Sequence, residues 1–318
     1  MLTVGLVLED PAAPRTVFYD RLLDAVRRDR AFRGVGARLV IPAEDTAEET
    51  NWPRYGNRES AYVRGVRHDL SEGGAFMRYL NEIGAYAAAH PQQAVLVVSM
   101  HPFVRLSNVF RAHGNVLVAD GSLAAFERAL NPRTISMPAL PMVRPAPHGK
   151  AQRDILASFQ GAPSHPVRHA LAALAGEPGF VVRLVDPRQH MGRIDAENGA
   201  SDGAYEELLD RSLFSFVPRG DALFSYRLLE AMARGSIPVI LADGWVLPFD
   251  RLLDWDAIAL RVHHDAVAQI PDILRSLRQD EIERRQACVR RAYAERFCGL
   301  GAIVEAMLAE AERVLEGA

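Results

Sequence analysis

The chain has 318 residues, of which 49% are hydrophobic and 24% charged, with a formal net charge of −3. Those proportions exclude a disordered, collagen-like or disulfide-stapled chain, and the balance lacks the broad basic footprint of a nucleic-acid binder. The length argues for two domains.

The two cysteines, Cys288 and Cys298, read as free thiols, and Lys150 is the only lysine among 37 lysine and arginine residues. That bias makes abundant arginine a poor phosphate-binding signal by itself. The opening apolar run meets Glu9 and Asp10 at once, unlike an export signal, and no apolar run reaches the roughly 20 residues of a membrane span. The expectation is a soluble, cytoplasmic protein.

Short apolar runs alternate with helical patterns along the chain. The predicted strands are 3–8, 38–41, 94–99, 115–119, 134–137, 155–160, 180–185, 213–217, 237–241 and 257–262. The predicted helices are 16–28, 77–89, 122–129, 167–175, 205–210, 224–234 and 280–297. Strands apolar on both faces, separated by helices, predict parallel sheets covered on both sides. Residues 46–74 are polar and aperiodic, with Trp52, Tyr55 and Tyr62 among them, and read as a substrate-side or poorly ordered loop. The stretch 137–150 holds four prolines and a glycine and reads as an interdomain linker.

In such sheets ligands bind beyond the carboxyl ends of the strands, so chemistry is expected in post-strand loops. Residues 205–262 carry most of it. A strand at 213–217 is followed by the turn Pro218-Arg219-Gly220-Asp221, then a helix ending at the cap Gly235, then a strand. On that helix Leu228, Leu229 and Met232 form an apolar stripe, while Arg227, Glu230 and Arg234 share a second face. Two readings fit that face: a solvated ladder of ion pairs, or a site with Arg227 on a diphosphate and Glu230 on ribose hydroxyls. Spacing alone does not separate them.

The ordered string S-x-F-x-x-x-P-x-G, S-x-R-x-x-E-A-x-x-x-G-x-I-P-V-I, L-P-F and L-D-W resembles the exostosin family of glycosyltransferases. It runs from Ser212, Phe214, Pro218 and Gly220 through Ser225, Arg227, Glu230, Ala231, Gly235 and Ile237 to Phe249 and Trp255. A weaker likeness reaches Arg168 and the strand ending at His101. The resemblance departs at Ser215 and Ser236, where many relatives have cysteine, and at Pro102, where an aspartate usually follows the histidine.

The resemblance implies the GT-B class: α/β, two Rossmann-like doubly wound domains facing across a cleft. Domains are expected at 1–148 (acceptor side), 149–300 (nucleotide-sugar side) and 301–318, a closing helix returning to the first. It implies an inverting transfer from a nucleotide-diphosphate sugar, UDP-linked, to a glycan or glycolipid acceptor in surface polysaccharide synthesis. Membrane association, if any, would be peripheral and through the acceptor. No nucleic-acid partner and no cofactor are expected. Implied donor contacts are Arg168, Arg219, Gly220, Ser225, Arg227, Glu230 and Asp243; candidate bases are His101 and then Asp120. His190 and Asp195 rank lower. Metal-independent transfer is expected, because no H-E-x-x-H or paired C-x-x-C exists, His263 and His264 are adjacent, and Asp254-Trp255-Asp256 falls in a packing motif. The alternative function is a nucleotide-sugar-binding module without catalysis.

Overall fold

The computed structural model describes residues 38–40, 94–99, 110–139, 153–186 and 203–317, with eight positions between 81 and 92. The elements expected at 3–8, 16–28 and most of 77–89 lie outside the described residues. So do the 46–74 loop with Trp52, Tyr55 and Tyr62, the linker from 140 onward, and His101, His190 and Asp195.

The chain divides into two compact units. One comprises Met1–Met137, Val246–Leu252 and Gly299–Ala318; the other comprises Pro138–Trp245 and Leu253–Cys298. Among the described residues, the first holds four parallel strands in the order β1 (Arg38–Val40), β2 (Val95–Ser99), β3 (Val116–Asp120), β4 (Thr134–Ser136). Helix α1 (Ala125–Leu130) connects β3 to β4. Every residue of β3 and β4 is buried, the polar Asp120, Thr134 and Ser136 included, as in a sheet covered on both faces.

The segment Val246–Leu252 packs within this first unit. Val246 donates its amide to Leu123 O, and Phe249 donates to Ser136 O at 2.9 Å. Phe249 is fully buried with φ +54°, a left-handed conformation uncommon outside glycine. Arg251 donates to Thr134 O at 2.9 Å and Pro132 O at 2.7 Å, and its Nη1 lies 3.1 Å from Glu310 on the closing helix, Leu300–Glu316. Arg128 forks onto Asp250 at 3.0 and 3.3 Å and lies 4.0 Å from Glu310. Glu310 itself has no exposed side-chain surface. Burial, with Asp250 nearby, raises its pKa to about 7 against the pull of Arg251 and Arg128.

The second unit is built on a five-stranded parallel sheet. Its strands are β5 (Ile155–Gly161), β6 (Phe180–Leu184), β7 (Ser212–Pro218), β8 (Ile237–Leu241) and β9 (Leu260–Arg261). They lie in the order β6-β5-β7-β8-β9. Two parallel sheets with intervening helices give the α/β class expected of a GT-B chain. Helix α2 (Pro166–Ala172) follows β5, α3 (Gly203–Arg211) precedes β7, and α4 (Arg227–Ala233) joins β7 to β8. Phe159, Phe214 and Phe216 fill the sheet core, and Leu228, Leu229 and Met232 of α4 are buried where that helix packs on β7 and β8. Gly235 closes α4 with φ +70°, the left-handed cap that its sequence position predicts.

Two expectations change here. Helix α4 begins at Arg227, three residues later than read, because Ser225 and Tyr226 form a tight first turn, with Leu228 N donating to Ser225 O at 3.1 Å. The strand expected at 257–262 is instead a helical turn, α5 (Trp255–Ile258), leaving only Leu260–Arg261 extended. Asp254 Oδ1 accepts from the amides of Asp256 and Ala257, and this capping draws the apolar run into a helix. The short helix α6 (Ile270–Ser276) was not anticipated; the long one expected at 280–297 is α7 (Gln279–Ala292) followed by a π turn.

Candidate functional site

In the second sheet the strand order reverses between β5 and β7: β6 lies on one side of that pair and β8 on the other. The crevice beyond the carboxyl ends of β5 and β7 is therefore a topological switch point, where doubly wound sheets take ligands. Two arginines converge there. Arg168, on α2 just after β5, donates from Nη1 to Ala162 O at 3.0 Å, from Nε to Arg219 O at 2.9 Å and from Nη2 to Pro218 O at 3.3 Å. It thus ties the loop after β5 to the loop after β7. Arg227, at the start of α4, donates from Nε to Gln160 O at 2.8 Å and pairs through Nη1 with Glu230 Oε2.

The fit is close at Gly220. A Cβ there would lie 3.1 Å from Arg168 Nη2 and 3.2 Å from Ser164 Oγ, so a side chain would push on the arginine. The Arg219 guanidinium is held loosely, at 3.4 Å from Gly220 O and 3.5 Å from Asp221 O. Burial and then the nearby Arg227 lower the pKa of Arg168 to about 10, with Asp221, Glu230 and Tyr205 acting the other way. Positive charge is thus held close to positive charge in a half-buried crevice, a setting that favours an anion.

Glu230 is 1% exposed. Its Oε2 accepts from Tyr205 Oη at 2.8 Å as well as from Arg227, while Oε1 has no hydrogen-bond partner among the described residues. Ser225 Oγ is likewise buried and has no hydrogen-bond partner among the described residues. Tyr205, 4% exposed on α3, lies under the Arg227 guanidinium at 4.8 Å, and burial raises its phenol pKa well above the ordinary value. The sequence reading missed Tyr205, because a tyrosine on a buried helix face carries no motif.

The helix face read as Arg227, Glu230 and Arg234 divides. Arg227 and Glu230 pair with each other, whereas Arg234 pairs with Glu206 at 3.0 Å and Asp210 at 3.1 Å of α3. Ser215 and Ser236 meet through their hydroxyls at 2.7 Å. Asp254 is a helix cap, consistent with a packing role for that motif.

Asp243 lies in the loop after β8. It pairs with His264 Nδ1 and accepts from His264 N at 3.2 Å, and His263 Nε2 lies 3.6 Å away. Burial opposes its ionisation, but the side-chain and backbone hydrogen bonds from His264 and the charges of both histidines together hold its pKa below the usual carboxylate value. The side-chain bond also raises the pKa of His264. Trp245, two residues on, is buried. Asp120, in the first unit, is 3% exposed at the end of β3; its Oδ1 accepts from Ser122 N at 2.7 Å.

The Exostosin GT47 domain model matches residues 93–277, more than half of the chain, and the chain belongs to that family. Over 91 residues it is 44% identical to Exostosin-1 of Drosophila melanogaster and 42% identical to Exostosin-1b of Danio rerio. Over 89 residues it is 37% identical to the Exostosin-1 homolog of Caenorhabditis elegans. Each match covers 28% of this chain; it covers 12% of the fly and fish proteins and 23% of the nematode protein. Among solved structures, a glycosyltransferase from Rickettsia africae is 12% identical over 99% of this chain and 98% of its own, with a TM-score of 0.49. TarM is 12% identical over 86% of this chain and 55% of its own, with a TM-score of 0.41. At these scores neither adds to the family assignment. Among the described residues, no helix is long and apolar enough to cross a membrane.

Proposed function

We propose that this chain is an inverting glycosyltransferase that uses a nucleotide-diphosphate sugar, UDP-linked, and transfers the sugar to a glycan or glycolipid acceptor. The observation that carries the reading is the convergence of Arg168 and Arg227 at the β5–β7 switch point, beside Glu230 Oε1 and Ser225 Oγ, which are buried with no partner among the described residues. A diphosphate would sit against Arg168, Arg227 and Arg219, over the close-packed Gly220. Glu230 Oε1 would accept a ribose hydroxyl, Ser225 would donate to a phosphate oxygen, and Asp243 would border the base.

In the reaction the acceptor oxygen attacks the anomeric carbon as the bond to the diphosphate breaks, and the acceptor proton passes to a base. His101 is the first choice of base and Asp120 the second. The leaving diphosphate gains negative charge, and fixed guanidinium groups in a partly dry crevice oppose it without reorganising. On this reading the arginines supply the charge that other transferases take from a divalent ion, so transfer is metal-independent. Residues 149–300 form the donor side, residues 1–148 the acceptor side, and 301–318 the closing helix. The setting is cytoplasmic, the product a surface polysaccharide or glycolipid, and any membrane contact is made by the acceptor.

A second reading is a nucleotide-sugar-binding module without turnover. Pro102 favours it, because the resemblance implies an aspartate after the histidine at that position. Incubation with a panel of nucleotide sugars separates the two. Slow release of free nucleotide without acceptor supports the transferase; tight binding with no release supports the module; no binding to any member overturns both.

A further inference from the structure

We propose that Asp243, His263 and His264 form a site for a divalent transition metal, zinc first, on the rim of the second sheet. Each of the three offers one ligand atom, and these atoms all lie within 4.8 Å of one another. A tetrahedral zinc with bonds near 2.0 Å sets its ligand atoms roughly 3.3 Å apart, so modest side-chain rotation completes the set.

The sheet fixes where these groups meet. β8 and β9 are parallel neighbours, so the loops leaving their carboxyl ends emerge side by side, pinned by Val262 N donating to Ile240 O at 3.0 Å. Asp243 is presented by a tight turn in which Trp245 N donates to Ala242 O at 3.1 Å and Gly244 has φ +75°. That conformation suits glycine and holds the carboxylate outward. The two imidazoles lie 4.3 Å apart at 30°.

The far side of the rings is the second observation. His263 Nε2 and His264 Nδ1 face Asp243, while His263 Nδ1 lies 3.5 Å and His264 Nε2 3.3 Å from the Asp265 carboxylate. One carboxylate thus stands with the ligand nitrogens and another behind them. His263 Nδ1 accepts from Asp265 N at 3.3 Å, so the second carboxylate serves His264: by taking the Nε2–H it fixes that ring's tautomer and strengthens Nδ1 as a ligand. All three ligands are part-exposed, so an ion can enter from solvent, and three protein ligands leave a fourth position for water. Two imidazoles and one carboxylate suit zinc, cobalt or nickel better than magnesium or calcium, which take oxygen ligands.

This inference shares Asp243 with the donor-site reading but stands on His263 and His264 as well, and its readout needs no nucleotide, so the two can fail separately. The full chain, stripped with chelator and dialysed, is titrated with Co²⁺ while its visible d–d bands are recorded, and Zn²⁺ is then added in competition. The expected result is one Co²⁺ per chain with the bands of a tetrahedral site, displaced by Zn²⁺. Asp243→Ala and His264→Ala should abolish the bands. Asp265→Asn should weaken binding roughly 10–100-fold. His169→Ala, an exposed histidine elsewhere on the unit, should leave it unchanged. Circular dichroism checks that each variant is folded, and His263→Gln replaces any that is not. Binding that persists in both Asp243→Ala and His264→Ala, or bands only of hydrated Co²⁺, overturns the proposal.

Discussion

Tyr205 Oη donates a 2.8 Å hydrogen bond to the same carboxylate oxygen of Glu230 that Arg227 holds. That oxygen is doubly satisfied, while its twin, Oε1, has no partner among the described residues. An almost fully buried carboxylate in this state has a fixed orientation and one acceptor to spare.

Removing either member of the Arg227–Glu230 pair should therefore register twice. Arg227→Ala leaves an unpaired buried charge and should cost about 3–5 kcal/mol in urea unfolding. Glu230→Gln keeps the shape and should cost less. Both should weaken nucleotide binding, and the double variant Arg227→Met/Glu230→Gln should be less destabilised than the sum of the two single changes. Nucleotide affinity equal to the parent in both single variants would remove them from the donor site.

Glu310 gives a pH signature in the first unit. Its pKa is raised from 4.5 to about 7 in the folded chain. Between those values the folded state holds a proton that the unfolded state has lost. Its contribution is thus fully present below about pH 4.5, is lost as pH rises toward 7, and changes little above. Urea midpoints of the parent minus those of Glu310→Gln should fall across that window; a flat difference would mean that Glu310 is ionised throughout.

Metal removal tests the charge argument. Transfer should persist in excess EDTA, because Arg168 and Arg227 hold the positive charge at the crevice. Stripping an ion from Asp243, His263 and His264 should leave their loops in place, since hydrogen bonds already join Asp243 to His264. Loss of activity in EDTA with rescue by Mn²⁺ would contradict the expectation.

His101→Ala should lower turnover roughly 10²–10⁴-fold with UDP affinity unchanged, and should remove an ionisation near neutrality from the rate profile. A folded variant with full activity would transfer the assignment to Asp120, whose test is the same measurement on Asp120→Asn.

Much of the second sheet was legible because its strands are apolar on both faces and end in breakers. Ile237–Leu241 falls where the pattern set it, and Ser212–Pro218 and Ile155–Gly161 each run only a residue or two beyond it. The Arg227–Glu230 pairing was legible as helical spacing. What escaped depends on distance in sequence. Tyr205 meets Glu230 across 25 positions, Arg168 meets Arg219 across 51, and Arg251 meets Glu310 across 59. The misread strand at 257–262 shows a cap overriding composition, since Asp254 takes the amides that start a helix.

The most direct test of the donor site is hydrogen–deuterium exchange of the full chain with and without saturating UDP. Protection should rise in peptides spanning 160–168 and 219–230, where Arg168, Gly220, Ser225, Arg227 and Glu230 stand. Unchanged exchange in both segments, or protection confined to other parts of the chain, would contradict the account.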